Sequence, residues 1–157
     1  MNYNQIMECF ALRQGEGEQI NFRGTKMYLK VSMNDSEGKY SLIEMTHPSN
    51  TGPALHIHPR APEAYYVLDG DYSIQCDKRT FQAKSGEFVF IPKGVPHKYQ
   101  SGSKGGKVLV ISPAGLEGYF KEVADILQTG QITWKLEQEI ARRWGQEFLD
   151  SLKHWGQ

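Results

Sequence analysis

The sequence has no excess of charge, because its 18 basic and 18 acidic side chains cancel. A nucleic-acid backbone or an anionic membrane is bound through a surplus of lysine and arginine, so we expect neither partner. No apolar run approaches the length that spans a membrane. The amino terminus also lacks the basic start and the long apolar stretch of a signal peptide. We therefore expect a cytoplasmic protein.

Cysteine is scarce as well, with Cys9 and Cys76 as the two in the chain. They form no CxxC or other short metal-binding spacing. In a cytosolic chain we expect both thiols to be reduced, although the sequence alone leaves one disulfide open. Histidine is present at five positions, and these positions become important below.

Short apolar runs, separated by Gly, Pro, Asn and Asp, fill the first two-thirds of the chain. The stretch KMYLKVSM alternates apolar and polar residues, which is the period of a half-buried strand. Further strands are predicted at KYSLIEMTH, LHIH, EAYYVL, DYSIQCD, EFVFIP, HKYQS and KVLVIS. Asp69-Gly70 is predicted to close a hairpin between EAYYVL and DYSIQCD. Eight or more strands without intervening helices predict an all-β sandwich or barrel.

From Leu116 the apolar pattern becomes helical. LEGYFKEVADIL forms one amphipathic run, and WKLEQEIARRWGQEFLDSLKHW forms a second that Gly145 is expected to kink or split. The sequence therefore predicts a β domain over residues 1–114 and a helical extension over residues 115–157 that packs on it. The amino-terminal stretch QIMECFALR is predicted to be a strand that pairs across a homodimer.

His56 and His58 stand two positions apart, so a strand presents both on the same face. Glu63 follows a loop with two prolines and opens the next strand, from which it can turn back toward the histidines. His97 follows a strand and a Pro/Gly-rich turn and is the candidate for a fourth ligand. Imidazoles with a carboxylate suit iron, manganese, nickel, copper or zinc. An HxH pair on its own favours an ordinary strand over a metal site.

These residues resemble the two sequence motifs of the cupin family. The first, G(X)5HXH(X)3,4E(X)6G, and the second, G(X)5PXG(X)2H(X)3N, are met by His56, His58, Glu63, Gly70, Gly86, Pro92, Gly94 and His97. Two departures occur: three residues instead of five separate Gly52 from His56, and Ser101 replaces the final Asn. The flanking stretches resemble the small quercetin-dioxygenase-like cupins.

The resemblance implies a double-stranded β-helix, which is a jelly-roll barrel, with one divalent transition metal held inside it. The implied metal ligands are His56, His58, Glu63 and His97. In dioxygenases of the family the hydroxyl of the substrate coordinates the metal. The resemblance therefore implies that Glu63 is both a ligand and the catalytic base.

Several aromatic side chains are candidates for a substrate pocket. Side-chain alternation places one tyrosine on the face of Glu63 and another on the face of His97, and two phenylalanines share a face with each other. The candidate pocket residues are Tyr65, Tyr99, Phe88, Phe90 and, for an anionic ligand, Arg60. Plain core packing is the alternative for the rings, and a solvated loop position is the alternative for the arginine.

Two classes of function remain open for such a site. The first is a metal-dependent dioxygenase that acts on a flavonol-like or other small enolisable substrate. The second is a metal-bearing cupin that binds or isomerises a small molecule, for example a carbohydrate, without oxygen chemistry. A non-catalytic binding role is a third alternative. The fold alone does not choose among them, because one fold hosts many chemistries.

Overall fold

The structure is a computed structural model that describes residues 8–149. All of its strand pairs are antiparallel. The elements are β1 (Glu18–Phe22), β2 (Thr25–Val31), β3 (Ser41–His47), β4 (His56–Ile57), β5 (Glu63–Cys76), β6 (Arg79–Lys84), β7 (Phe88–Ile91), β8 (His97–Ser112), α1 (Leu116–Thr129), α2 (Trp134–Arg143) and β9 (Glu147–Phe148). The predicted all-β barrel with carboxy-terminal helices is confirmed.

The long strand β8 organises the barrel. Its carboxy-terminal half pairs with β3 and with the first half of β5, and its amino-terminal half pairs with β4 and the second half of β5. Strands β1 and β2 extend the sheet beyond β3, while β6 and β7 pair with β5. The alternating side chains that point inward form one apolar core. Strands β4, β5 and β8 meet at one end of it.

The Asp69-Gly70 hairpin predicted from the sequence is wrong. Strand β5 continues through these residues and stays paired with β8 on both sides, with a register shift at each side. Gly70 has a φ of 77°, and a Cβ there would lie 2.6 Å from the carbonyl oxygen of Gly105. The glycine therefore permits a bulge in a continuous strand. The hairpin to β6 forms at Asp77, whose φ is 53°.

The second helical run is shorter than predicted. Helix α2 ends at Arg143, and Gly145 turns the chain with a φ of 81°. The next residues form β9, which pairs with β4 in the barrel sheet. The extension therefore returns to the barrel as a strand, and the residues after 149 lie outside the described part of the chain.

A partly buried ion pair holds α2 against the turn between β1 and β2. Arg23 Nη1 donates to Glu137 Oε1 at 2.7 Å, and Arg23 Nη2 donates to Glu137 Oε2 at 2.9 Å. The Tyr119 hydroxyl in α1 donates to Glu137 Oε1 at 2.7 Å. Glu117, also in α1, accepts a hydrogen bond from the Met33 backbone N–H at 2.7 Å. Both helices are thus fixed to the barrel by buried carboxylates.

Four other expectations meet the structure in different ways. Of the predicted amino-terminal strand, residues 5–7 lie outside the described part, and residues 8–13 form no strand. The domain boundary predicted at residue 114 stays a prediction. Strand β9 follows this boundary in the chain, but it pairs with β4 in the barrel sheet. Cys9 and Cys76 are free thiols. Within residues 8–149 neither helix has the length and apolar character that a membrane crossing requires.

Candidate metal centre

Four buried side chains converge at the end of the barrel where β4, β5 and β8 meet. His56 begins β4, Glu63 begins β5 and His97 begins β8, while His58 follows β4 directly. The pairing of His56 with His97 across β4 and β8 brings these two rings to 4.3 Å between centroids. Each of the four residues offers one ligand atom, and these atoms lie within 4.8 Å of one another. The structure thus brings together all four ligands expected from the sequence.

Backbone carbonyl groups fix the orientation of the three imidazoles. A carbonyl oxygen only accepts hydrogen bonds, so each Nδ1 carries the proton and donates it. The acceptors are Ala54 for His56 at 2.8 Å, Val95 for His97 at 2.8 Å and Gly145 for His58 at 3.4 Å. The Nε2 of each ring then has a lone pair that can bind a metal. A hydrogen bond from the other ring nitrogen to a backbone carbonyl is typical of metal-binding histidines.

The Glu63 carboxylate faces two of these lone pairs. Its Oε2 lies 3.2 Å from His58 Nε2 and 3.0 Å from His97 Nε2, and it also accepts a hydrogen bond from the Tyr65 hydroxyl. An Nε2 lone pair and a carboxylate oxygen are both acceptors, so a cation between them, either a proton on Nε2 or a metal ion, satisfies such a contact. A divalent transition ion fits this donor set of three nitrogens and one oxygen.

The electrostatics of the cluster agree with a cation site. Burial alone raises the pKa of Glu63, but the charge and hydrogen bonds of His58 and His97 outweigh burial and hold that pKa well below its usual range. Burial, followed by the charges of His97 and His58, lowers the pKa of His56 far below its ordinary value. Glu63 is therefore ionised and His56 neutral at pH 7, which are the forms that bind a metal.

A narrow cavity opens beside the cluster. Its walls are Met45, Pro53, His56, Glu63, Tyr65, Tyr99, Val110, Leu116, Phe120 and Gln146. Its volume holds about one water molecule. The structure places Tyr65 and Tyr99 in this wall, with their rings 5.2 Å apart. Burial and the charge of Glu63 raise the pKa of Tyr65 well above its usual value, so the hydroxyl keeps its proton and donates it to Glu63.

The other three candidate pocket residues lie elsewhere. Phe88 and Phe90 point away from the barrel interior, and each is 55% exposed on the outer face of the sheet. Arg60 is exposed and lies at a surface groove beside Gly145, not in the cavity. The prediction that these three side chains line the pocket at the metal is therefore wrong. The strand turns both phenylalanines outward, and the loop turns the arginine to solvent.

A buried histidine with two tyrosine partners was not among the residues expected from the sequence. His47 Nδ1 lies 2.8 Å from the Tyr72 hydroxyl, and His47 Nε2 lies 3.0 Å from the Tyr99 hydroxyl. Burial lowers the pKa of His47 to about 3. The sequence pattern could have indicated its burial, because Ile43, Met45 and His47 alternate along β3 and share one face. The wall residue Gln146 was also missed, since the helical pattern extended across it.

The two departures from the family motifs have local explanations. A Cβ on Gly52 would lie 1.7 Å from the carbonyl oxygen of Tyr99, so the loop before β4 crosses β8 at a point where only glycine fits. Ser101 Oγ donates to the carbonyl oxygen of Pro48 at 2.6 Å and accepts from the Thr51 N–H at 3.0 Å. Both residues support the loop that leads to His56.

Comparison with known proteins agrees with this geometry. The family model for the cupin domain matches residues 43–112. An uncharacterised protein of Streptomyces coelicolor is 30% identical over 105 residues, which are 67% of this chain and 94% of that protein. The chain belongs to the cupin family. All four ligand residues of this cupin lie within the matched region.

Two other curated relatives match this cupin over shorter stretches. Quercetin 2,3-dioxygenase of Bacillus subtilis is 30% identical over 92 residues, which are 58% of this chain and 27% of that enzyme. An uncharacterised protein of Methanocaldococcus jannaschii is 35% identical over 63 residues, which are 40% of this chain and 50% of that protein. The chain thus spans half or less of the length of these two relatives.

Solved structures share the fold of this cupin. The polyketide cyclase RemF from Streptomyces resistomycificus superposes with a TM-score of 0.58 and 22% identity, over 68% of this chain and 80% of that one. A predicted oxalate decarboxylase from Thermotoga maritima gives a TM-score of 0.56 and 24% identity, over 66% of this chain and 99% of that one. At these identities the likeness shows the fold alone.

Proposed function

We propose that this cupin is a metal-dependent dioxygenase that acts on a small enolisable compound. The observation that carries the proposal is the buried convergence of three imidazole nitrogens and one carboxylate oxygen beside an apolar cavity. His56, His58, Glu63 and His97 hold one divalent transition metal. Bound there, the ion supplies a Lewis acid and, when it is redox-active, the electronic means for oxygen chemistry. The 30% sequence identity to a quercetin dioxygenase over 92 residues supports this class of reaction.

The size of the cavity favours a compact substrate over a flavonol. Beyond the four ligand residues the cavity holds about one water molecule. Pockets for ligands as large as a flavonol commonly measure about 300 Å³ or more. The walls are mostly hydrocarbon and aromatic, and they include no lysine or arginine. Both kinds of ligand exceed this volume, but a neutral molecule of a few carbon atoms with adjacent oxygens requires far less widening of the cavity than a three-ring compound.

Glu63 is the group we assign as the proton acceptor. Its Oε2 is held by Tyr65 and faces His58 and His97. Its Oε1 has no hydrogen-bond partner among residues 8–149, and Glu63 lines the cavity. The depressed pKa keeps this carboxylate ionised at pH 7. Oε1 is therefore available to take a proton from the hydroxyl or the adjacent carbon of a bound substrate.

A second candidate function uses the same base without oxygen. A flavonol would require the larger widening of the cavity, so we do not extend the likeness to a quercetin dioxygenase to its substrate. Glu63 Oε1 can move a proton between adjacent carbon atoms of a compact hydroxyketone, which is an isomerisation. A protein that merely binds such a compound would have the same cavity but no turnover.

Oxygen uptake separates these candidates. We expect the iron-, manganese- or nickel-loaded protein to consume oxygen with hydroxyacetone and not with quercetin. Glu63→Gln should abolish uptake while part of the metal stays bound, and Glu139→Gln, on the exposed face of α2, should leave uptake unchanged. Turnover without oxygen would favour isomerisation. Failure of the unaltered protein to retain any transition metal would contradict both functions.

The remaining expectations from the sequence accompany this proposal. A small molecule is the expected partner, with neither nucleic acid nor membrane, because positive and negative side chains balance. A cytoplasmic location is consistent with the free thiols of Cys9 and Cys76. Fractionation of the native cells with an antibody against this chain tests that location.

A further inference from the structure

Gln146 is a buried polar residue beside the metal ligands for which the fold has no evident use. It lies between α2 and β9, outside the region that matches the cupin domain. Its exposed fraction is 4%, and it lines the cavity together with His56 and Glu63. A buried amide is costly unless it is hydrogen-bonded, so its presence at this position needs a reason.

The strand pairing directs this side chain toward the ligands. Strand β9 pairs with β4 so that Phe148 lies opposite His56 and Glu147 opposite Ile57. One position further in the same register, Gln146 falls opposite His58. Side chains alternate along a strand, so Gln146 shares the inward face of Phe148, whose ring lies 6.0 Å from that of His56. The burial pattern agrees, because Gln146 and Phe148 are buried and Glu147 is not.

The side-chain amide has no partner in the described protein. The backbone N–H of Gln146 donates to the carbonyl oxygen of Ala141 at 2.9 Å. Its Oε1 and Nε2 make no hydrogen bond within residues 8–149. Among residues 8–149, Thr25 Oγ1 is the one fully buried polar side-chain atom without a hydrogen-bond partner. The unpartnered amide of Gln146 is therefore not fully buried. It borders the cavity, together with His56 and Glu63.

We propose that Gln146 is a substrate-binding residue of the metal centre. Its amide hydrogen-bonds the second oxygen of a compact ligand whose first oxygen occupies the metal. An amide donates to a carbonyl and accepts from a hydroxyl, and the cavity has no cationic wall residue. The ligand class is therefore a neutral α-hydroxycarbonyl or its enediol, not a carboxylate. This inference rests on the proposed function for its substrate class.

The test measures binding to the zinc-loaded protein, which has no redox chemistry. Isothermal titration compares hydroxyacetone, which has two adjacent oxygens, with azide, which needs only the metal. We expect Gln146→Leu to weaken hydroxyacetone binding about tenfold, as for the loss of one hydrogen bond. Azide affinity should stay the same. Gln128→Leu, on the exposed face of α1, is the matched control and should change neither affinity.

A stability measurement separates ligand binding from a structural role. If the amide serves the ligand, Gln146→Leu removes an unpartnered buried polar group, and the melting temperature should stay the same or rise. A lowered melting temperature with equal losses for both probes would show a structural role and overturn the proposal. So would unchanged hydroxyacetone affinity, or no hydroxyacetone binding by the unaltered protein. Absence of oxygen uptake contradicts the dioxygenase alone and leaves this comparison intact.

Discussion

The carbonyl oxygen of Gly145 lies 3.4 Å from Nδ1 of His58, so the carboxy-terminal extension touches a histidine of the candidate metal centre. Strand β9 continues this contact by pairing with β4. Leu116 and Phe120 of α1 complete the wall of the cavity opposite the ligands. The extension is therefore part of the site. Whatever fastens it to the barrel also determines the shape of the cavity.

The ion pair of the partly buried Arg23 with the buried Glu137 fastens α2 to the barrel. We expect Arg23→Ala to lower the free energy of unfolding by about 3–5 kcal/mol, because a buried carboxylate loses the guanidinium that compensates its charge. Urea unfolding of the metal-free protein measures this change. Lys121→Ala removes an exposed ion pair with Glu18 and should cost less than about 1 kcal/mol.

The double variant Arg23→Met with Glu137→Leu tests the cause. Since it removes both charges and keeps apolar volume, it should be more stable than Arg23→Ala. An equally large loss in the single and double variants would contradict the charge argument. It would then point to packing of the Arg23 side chain, whose guanidinium carbon lies 5.2 Å from the centre of the Phe22 ring.

The hydrogen bond from Tyr65 to Glu63 leads to a prediction about metal affinity. Tyr65→Phe keeps the ring in the cavity wall but removes the hydroxyl that orients the carboxylate. Outer-shell partners of this kind commonly contribute 10- to 100-fold to metal affinity, and we expect a fall of about that size. Competition with a chromophoric chelator measures it. Tyr66→Phe, on the outer face of the same strand, is the control, and an equal effect of both variants would contradict the role of the hydroxyl.

His47 predicts how stability depends on pH. Burial lowers its pKa to about 3 from an ordinary value of 6.5, so between these values the unfolded chain binds a proton that the folded chain does not. The contribution of neutral His47 is complete above pH 6.5 and falls as the pH drops toward 3, by about 1.4 kcal/mol per pH unit.

His47→Gln isolates this contribution. Glutamine retains hydrogen-bonding capacity toward Tyr72 and Tyr99 but does not titrate. The difference in unfolding free energy between the two metal-free proteins should therefore change with pH below 6.5 and stay constant above it. Urea unfolding across this range measures the difference. A constant difference at every pH would show that His47 does not change its protonation on unfolding.

The four residues of the candidate metal centre could be predicted from the sequence because their signal is local. The two-residue spacing of His56 and His58 fixes a common face on any strand, and the cupin motifs supply Glu63 and His97. The bulge at Gly70 could not be predicted. Asp-Gly is a strong local hairpin signal, but pairing with a strand about thirty residues later keeps β5 continuous.

Two further errors have the same origin in long-range contacts. The sequence FVFI of β7 is apolar at every position, so its period does not reveal which side faces inward. The structure buries Val89 and Ile91 and turns Phe88 and Phe90 outward. Likewise, the residues after Gly145 have a helical pattern, but their pairing with β4 forms a strand instead. Gln146 enters the cavity only as a result of that pairing.

The outward-facing side chains of β5, β7 and β8 form an apolar patch on the barrel. Its exposed members are Tyr66, Leu68, Phe88, Phe90 and Ile111. Tyr66 is the cross-strand partner of Phe88. Ala64 is the cross-strand partner of Phe90 on one side and of Ile111 on the other. These positions include no charged side chain that would select a different protein. A second copy can cover the patch by packing sheet against sheet about a two-fold axis.

We therefore expect a homodimer through this face, not through the amino-terminal stretch. Sedimentation of the unaltered protein should give a dimer, and the double change Phe88→Ser with Phe90→Ser should give a monomer, because it removes the largest exposed apolar area of the patch. Leu136→Ser, which changes an exposed leucine on α2, is the control and should remain dimeric. A monomeric unaltered protein, or a dimeric double variant, would contradict the assignment of this face.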